Sequence, residues 1–198
     1  RGDVIGNVPR WSVMGDAPWY SFDYGHAHIL VYSTEHSIAS QMAFIKGDLA
    51  DVDRDVTPWV IVAGHRPLYL TGLDPSWDKD QQVAAQLRAE LEDLFYEHGA
   101  DLVLAGHHHS YQRTCPLYKG ECKPAGTAPV YMVIGMAGFM ESPIIFPANK
   151  EFVFVDSMHH GHVRINVTSS TLSVSYMRNA NPKTPADFLL LEKPRVHT

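Results

Sequence analysis

The chain has 198 residues, 45% hydrophobic and 19% charged, which allows one domain with a sizeable core and excludes a largely disordered protein. A formal net charge of −6 gives no electrostatic reason to expect nucleic acid as a partner, and twelve histidines make that charge soft toward acid. No apolar run reaches the length of a membrane span, and the opening Arg1-Gly2-Asp3, without an initiator, reads as a processed or partial chain.

Residues 1–18, interrupted by Gly2, Gly6, Pro9, Gly15 and Pro18, read as a loop. Tyr20 to Tyr24 and His28 to Ser33 read as two strands around a tight turn at Gly25. Asp23, His26, His28, Glu35 and His36 in and beside them read as surface or packing residues. The spacing of Met42, Ile45 and Leu49 predicts a helix with Ser40 as its N-cap, followed by a solvated charge run from Asp51 to Asp55. Trp59-Val60-Ile61-Val62-Ala63 is a buried-strand run closed by Gly64-His65. After a loop from Thr71 to Asp80 comes the clearest helix, with Val83, Leu87, Leu91, Leu94 and Phe95 in one apolar stripe. Arg88, Glu90, Glu92 and Asp93 are expected to face water, and Gly99 ends the helix.

A second strand, Leu102 to Ala105, ends at Gly106 and runs into His107-His108-His109. Three consecutive histidines can form a solvated loop or a metal site. In an extended segment side chains alternate, which would put His107 and His109 on one side and His108 on the other. The strand-helix-strand layout predicts parallel strands whose carboxyl ends gather His65, His107 and His109, where ligands collect in such sheets. Neutral imidazole suits zinc, iron, copper and nickel alike.

Cys115 and Cys122, the only cysteines, flank a short loop that fits either a disulfide or two free thiols. Together with the glycosylation sequon Asn166-Val167-Thr168 they favour the bonded, secretory alternative. Further strands are predicted at Pro129 to Ile134, Phe152 to Val155, His162 to Val167, Leu172 to Met177 and Asp187 to Leu191. Gly135 to Gly138 reads as a turn. His159, His160 and His162 read as a surface patch, with no carboxylate to support coordination.

Val62-Ala63-Gly64-His65 and Gly106-His107-His108-His109 resemble the V-x-x-H and G-H-x-H motifs of the calcineurin-like metallophosphoesterases. Four stretches resemble the purple acid phosphatase branch: Pro18 to Gly25, Ser33-Thr34-Glu35-His36, His65-Arg66-Pro67, and Ser110 to Pro116. The similarity runs from about Trp19 to Leu190. It implies an α/β fold, part of a metallophosphoesterase sandwich of two mixed sheets flanked by helices, with the N-terminal half of the domain missing. Residues 1–125 would be the C-terminal half of the core and residues 126–198 a strand-rich C-terminal segment of the same domain.

The activity implied is acid phosphatase chemistry, the hydrolysis of phosphate monoesters by Fe(III) plus a divalent zinc, manganese or iron. By motif position His65 and His107 would ligate the divalent metal and His109 the ferric ion. Arg66 and an exposed His108 would contact substrate or support the ligands. The general acid is unassigned, since Asp74-Pro75-Ser76-Trp77 lacks the histidine that some members carry there. The family's two aspartate, tyrosine and asparagine ligands belong to motifs before the Trp19 block. Gly2-Asp3 and Gly6-Asn7 echo them, but Asn7 is followed by Val8 rather than histidine. The implied partners are therefore the missing N-terminal part of the domain and a phosphomonoester, with a homo-oligomer as an option. The isolated chain would be inactive, and its location secreted, extracellular or vacuolar-lysosomal. The competing class is a secreted structural or binding protein that keeps the fold without its chemistry.

Overall fold

The structure is a computed structural model that describes residues 10–11, 17–72, 78–140, 142 and 148–193. Gly2-Asp3, Gly6-Asn7 and Asp74 to Trp77 lie outside the described residues.

Strands β1 (Arg10–Trp11), β2 (Tyr20–Tyr24), β3 (Ala27–Val31), β4 (Trp59–Gly64), β5 (Leu102–Ala105), β6 (Tyr111–Tyr118), β7 (Glu121–Cys122), β8 (Val130–Ile134) and β9 (Phe152–Asp156) form one sheet. Their order is β1-β2-β3-β4-β5-β8-β6-β7, with β9 paired to β6. The middle of that sheet, β3 to β4 to β5 to β8, is parallel, and its flanks are antiparallel. Helix α1 (Ile38–Ala50) connects β3 to β4, and α2 (Asp78–Glu97) connects β4 to β5. These are the crossovers that parallel neighbours require.

A three-stranded sheet of β10 (Gly161–Val167), β11 (Thr171–Arg178) and β12 (Asp187–Glu192) makes the second layer. It is wholly antiparallel, which corrects the expectation of two mixed sheets. The connections between its strands are too short for a parallel crossover.

Alternation along β4 builds both cores. Val60 and Val62 pack with Leu30, Leu87, Leu91 and Phe95 beneath the helices, while Trp59 and Ile61 pack with Leu172, Val174 and Tyr176 of the small sheet. Burial on both faces is why β4 reads as an unbroken apolar run. The layers are pinned by the Trp59 Nε1–H, which donates to the Thr168 carbonyl at 2.7 Å, and by the Tyr111 ring stacked on Tyr176 at 4.2 Å.

Several local expectations are corrected by packing. Helix α1 starts at Ile38, because Ile38 is drawn into the core, so Ser40 lies inside the helix. In α2 the predicted stripe is buried, but Glu92 is buried too, accepting bonds from the Tyr69 hydroxyl and the Lys119 N–H. The Asp51 to Asp55 run keeps its aspartates exposed as expected, while Arg54 within it donates to the carbonyls of His98, Gly99 and Pro58. Strand β6 has no apolar signature because its interior includes Gln112 and Thr114. Gln112 takes both backbone groups of Thr71, and Thr114 takes both of Tyr131. A disulfide joins Cys115 and Cys122 across the β6–β7 hairpin. Closing so short a loop contributes about 2–3 kcal/mol in the chain-entropy account. Among the described residues no helix is long and apolar enough to cross a membrane.

Candidate functional site

Strands β4 and β5 run side by side with Gly64 opposite Ala105, so their carboxyl tips deliver His65 and the histidine triplet to one rim. The Gly106 N–H donates to the His65 carbonyl at 3.0 Å and holds the tips together. Gly64 has to lack a side chain, since a Cβ there would come within 2.5 Å of the Tyr32 ring.

His107 has φ +61°, a left-handed conformation that side-chain-bearing residues seldom adopt. That reversal breaks the alternation expected of an extended segment. His107 Nδ1 lies 3.2 Å from His65 Nε2, and the two rings meet edge to face. On the opposite edge, His107 Nε2 lies 3.0 Å from the Asp80 carboxylate, in the first turn of α2. Arg66 Nη1 packs against the same nitrogen at 3.3 Å and donates to Asp80 at 3.2 Å. The Arg66 Nε–H donates to Glu35 at 2.9 Å, and its backbone N–H donates to Thr34 Oγ1. Burial, with the neighbouring His107 and Arg66 charges, moves the His65 pKa below its ordinary value.

His109 is tied elsewhere. Its Nδ1–H donates to the Met140 carbonyl at 2.8 Å, and its ring edge meets Phe139. His108 is 2% exposed, correcting the expectation that it faces out. It contacts Ser110 Oγ at 2.8 Å, and burial pushes its pKa down to about 4. His159 also departs from expectation, because a carboxylate does stand beside it. Asp156 lies 3.0 Å from its Nδ1 and accepts the Arg178 Nε–H at 2.7 Å.

Asp80 lies on the edge of the His107 ring away from His65, so it is not a third donor beside that pair of imidazoles. His109 spends one nitrogen on a carbonyl. Among the described residues no group of three or more His, Cys, Asp or Glu is arranged to hold a metal ion. The expectation of Fe(III) with zinc, manganese or iron is therefore overturned, and with it two-metal hydrolysis of phosphate monoesters at this rim. What the rim offers chemically is a chain of polar contacts, Glu35 to Arg66 to Asp80 to His107, ending on the His65 imidazole.

Asp80 was missed in the sequence because it falls at the end of a stretch read as loop. Its signal was available: a carboxylate in the first turn of a crossover helix starts at the same end of the sheet as the strand tips. Glu35 was noticed, but nothing in the sequence linked it to Arg66.

A sequence profile described as calcineurin-like phosphoesterase matches residues 1–111, more than half of the chain. The chain belongs to that family. A second profile, iron/zinc purple acid phosphatase-like protein C, matches residues 128–187 of this calcineurin-like phosphoesterase. The chain is 34% identical over 193 residues to acid phosphatase type 7 of Homo sapiens, covering 82% of this chain and 43% of that protein. It is 34% identical over 175 residues to probable inactive purple acid phosphatase 9 of Arabidopsis thaliana, covering 81% and 26%. The chain spans less than half the length of these curated relatives. A purple acid phosphatase from yellow lupin (Lupinus luteus) seeds shares the fold, with a TM-score of 0.81 at 24% identity over 91% of this chain and 34% of that one.

The calcineurin-like match covers residues 1–111, and the expectation of a C-terminal portion lacking the N-terminal half of its domain is overturned. So is the missing half as a partner. That expectation rested on the aspartate, tyrosine and asparagine motifs sought before the Trp19 block and on Val8 standing where a histidine was sought, and the match runs through that stretch.

Proposed function

We propose that this calcineurin-like phosphoesterase is a secreted, non-catalytic binding or structural protein. The observation that carries this is the engagement of the His107 ring on both edges, by His65 on one and by Asp80 with Arg66 on the other. A fixed guanidinium and a carboxylate neutralise each other where a hydrolytic centre would need donors open to a cation. In this proposal Arg66, His65 and His109 are recognition groups on the rim, and the buried His108 supports it through Ser110. The similarity to a relative described as probably inactive agrees with a fold kept without turnover. Secretion is supported by the Cys115–Cys122 disulfide and by Asn166, exposed on β10 within its sequon, which we take as the glycan attachment point.

The test is hydrolysis of p-nitrophenyl phosphate by the intact chain with iron, zinc and manganese salts, from about pH 5 to about pH 7, the range in which histidine changes charge. The expected rate equals that of the metal-salt blank. Turnover that scales with protein concentration and disappears in a His107→Ala variant overturns the proposal.

A further inference from the structure

Away from the rim, a cavity of about 600 Å³ is lined by Ser21, Asp23, His28, Asp48, Asp51 and Asp53, among others. Its one imidazole is at the centre of the carboxylates. His28, on β3, is 6% exposed. Its Nδ1 lies 2.7 Å from Asp23 Oδ1 on β2, and its Nε2 lies 2.8 Å from Asp48 Oδ2 on α1. The other Asp48 oxygen accepts the Ser21 hydroxyl.

A neutral imidazole has a single N–H. It could donate to one of these carboxylates, but its lone pair would then face the other at hydrogen-bond distance. Only the imidazolium donates to both at once. We propose that His28 is a proton-operated clasp, which in its charged form fastens the β2–β3 hairpin to the last turns of α1 through both carboxylates and on losing its proton keeps only one of those two bonds, loosening the junction.

The charged groups bonded to it are Asp23 from β2 and Asp48 from α1, while Asp51 and Asp53, from the segment after α1, line the same cavity. From β4, Val60 stands beside His28 in register and brings no charge. Burial works against the imidazolium, but the hydrogen bonds to Asp48 and Asp23, with their negative charge, outweigh it and raise the pKa above 6.5. The sign of the linkage follows. Stabilisation by the clasp is complete below the unfolded value near 6.5 and is lost as pH rises through the higher folded value.

Helix α1 also holds the rim loop, since Gln41 takes the N–H and the carbonyl of Ser33, next to the Thr34 and Glu35 that grip Arg66. The clasp therefore sets the frame on which the rim is built, and it favours acidic surroundings.

NMR titration of the ring Cε1–H resonances in the intact chain, from about pH 5 to about pH 9, tests the clasp directly. The His28 resonance is assigned by its loss in His28→Gln, or by the one resonance moved in Asp23→Asn if that variant does not fold. The expected midpoint lies above 6.5 and falls toward 6.5 in Asp23→Asn. Over the same range the wild-type Tm should fall by more than that of Asp23→Asn. A His28 midpoint at or below 6.5, or parallel Tm profiles, overturns the proposal.

Discussion

Replacing Gly135 with alanine will destabilise the protein by about 3 kcal/mol, through overlap that no rotamer can relieve. Gly135 follows β8 and lies against the histidine turn. A Cβ there would stand 2.2 Å from the His108 carbonyl oxygen and 3.0 Å from its carbonyl carbon. Both atoms are backbone, so either β8 or the segment carrying His107 to His109 must move. The Gly135 N–H also donates to the Ser110 carbonyl at 3.2 Å, which fixes the two segments at that spacing. Urea denaturation checks the loss through a lower midpoint at unchanged slope. The internal control is Gly47→Ala, in the interior of α1 with open space around it, expected to stabilise by about 0.5–1 kcal/mol. If both variants behaved alike, the close approach of β8 to the rim would be wrong.

Replacing Asp187 with alanine will cost about 3–5 kcal/mol, the loss that follows when one partner of a buried ion pair is removed. Asp187 opens β12 and accepts the Arg113 Nε–H at 2.6 Å, the Arg113 Nη2–H at 2.7 Å and the Tyr111 hydroxyl at 2.7 Å. Both donors sit on β6, so this single carboxylate ties the large sheet to the small one. Alanine leaves a half-buried guanidinium and a tyrosine hydroxyl without it. Burial opposes the Asp187 charge, but the bonds from Arg113 and Tyr111 and the Arg113 charge outweigh it and lower the pKa below 3.8. For a depressed carboxylate the stabilisation is present above the unfolded value and is lost only as pH falls through the folded one. The pair therefore persists through the mildly acidic range in which His28 is also charged. A midpoint shift worth less than about 1 kcal/mol would show the sheets to be held mainly by apolar contact.

The parts of this fold legible in the sequence were those whose burial follows a simple period. Trp59 to Ala63 and Leu102 to Ala105 are apolar runs because both faces are covered, and the α2 stripe has one face to bury. Strand β6 escaped because Gln112 and Thr114 satisfy backbone groups from the interior, a job with no periodic signature. Glu92 escaped for a similar reason: its carboxylate is buried by what it accepts, not by what it repeats.

At the candidate site, His65 and His107 could be seen to meet because strand and glycine punctuation place them on adjacent tips. The turn at His107 could not. A positive φ at a residue other than glycine arises from its surroundings, and here it accompanies the contact of His107 with Asp80. The Asp23–His28–Asp48 clasp was invisible for another reason. Its members come from a strand, its hairpin neighbour and a helix, joined only when those elements pack.

The most direct measurement is calorimetric titration of the intact chain with zinc, manganese and ferrous salts, beside a His65→Ala/His107→Ala double variant. The expected result is the same weak, unsaturating heat for both proteins, because the rim nitrogens already face each other, a carboxylate and a guanidinium. Saturable uptake of two ions per chain, absent from the double variant, would contradict the account and restore the hydrolytic centre.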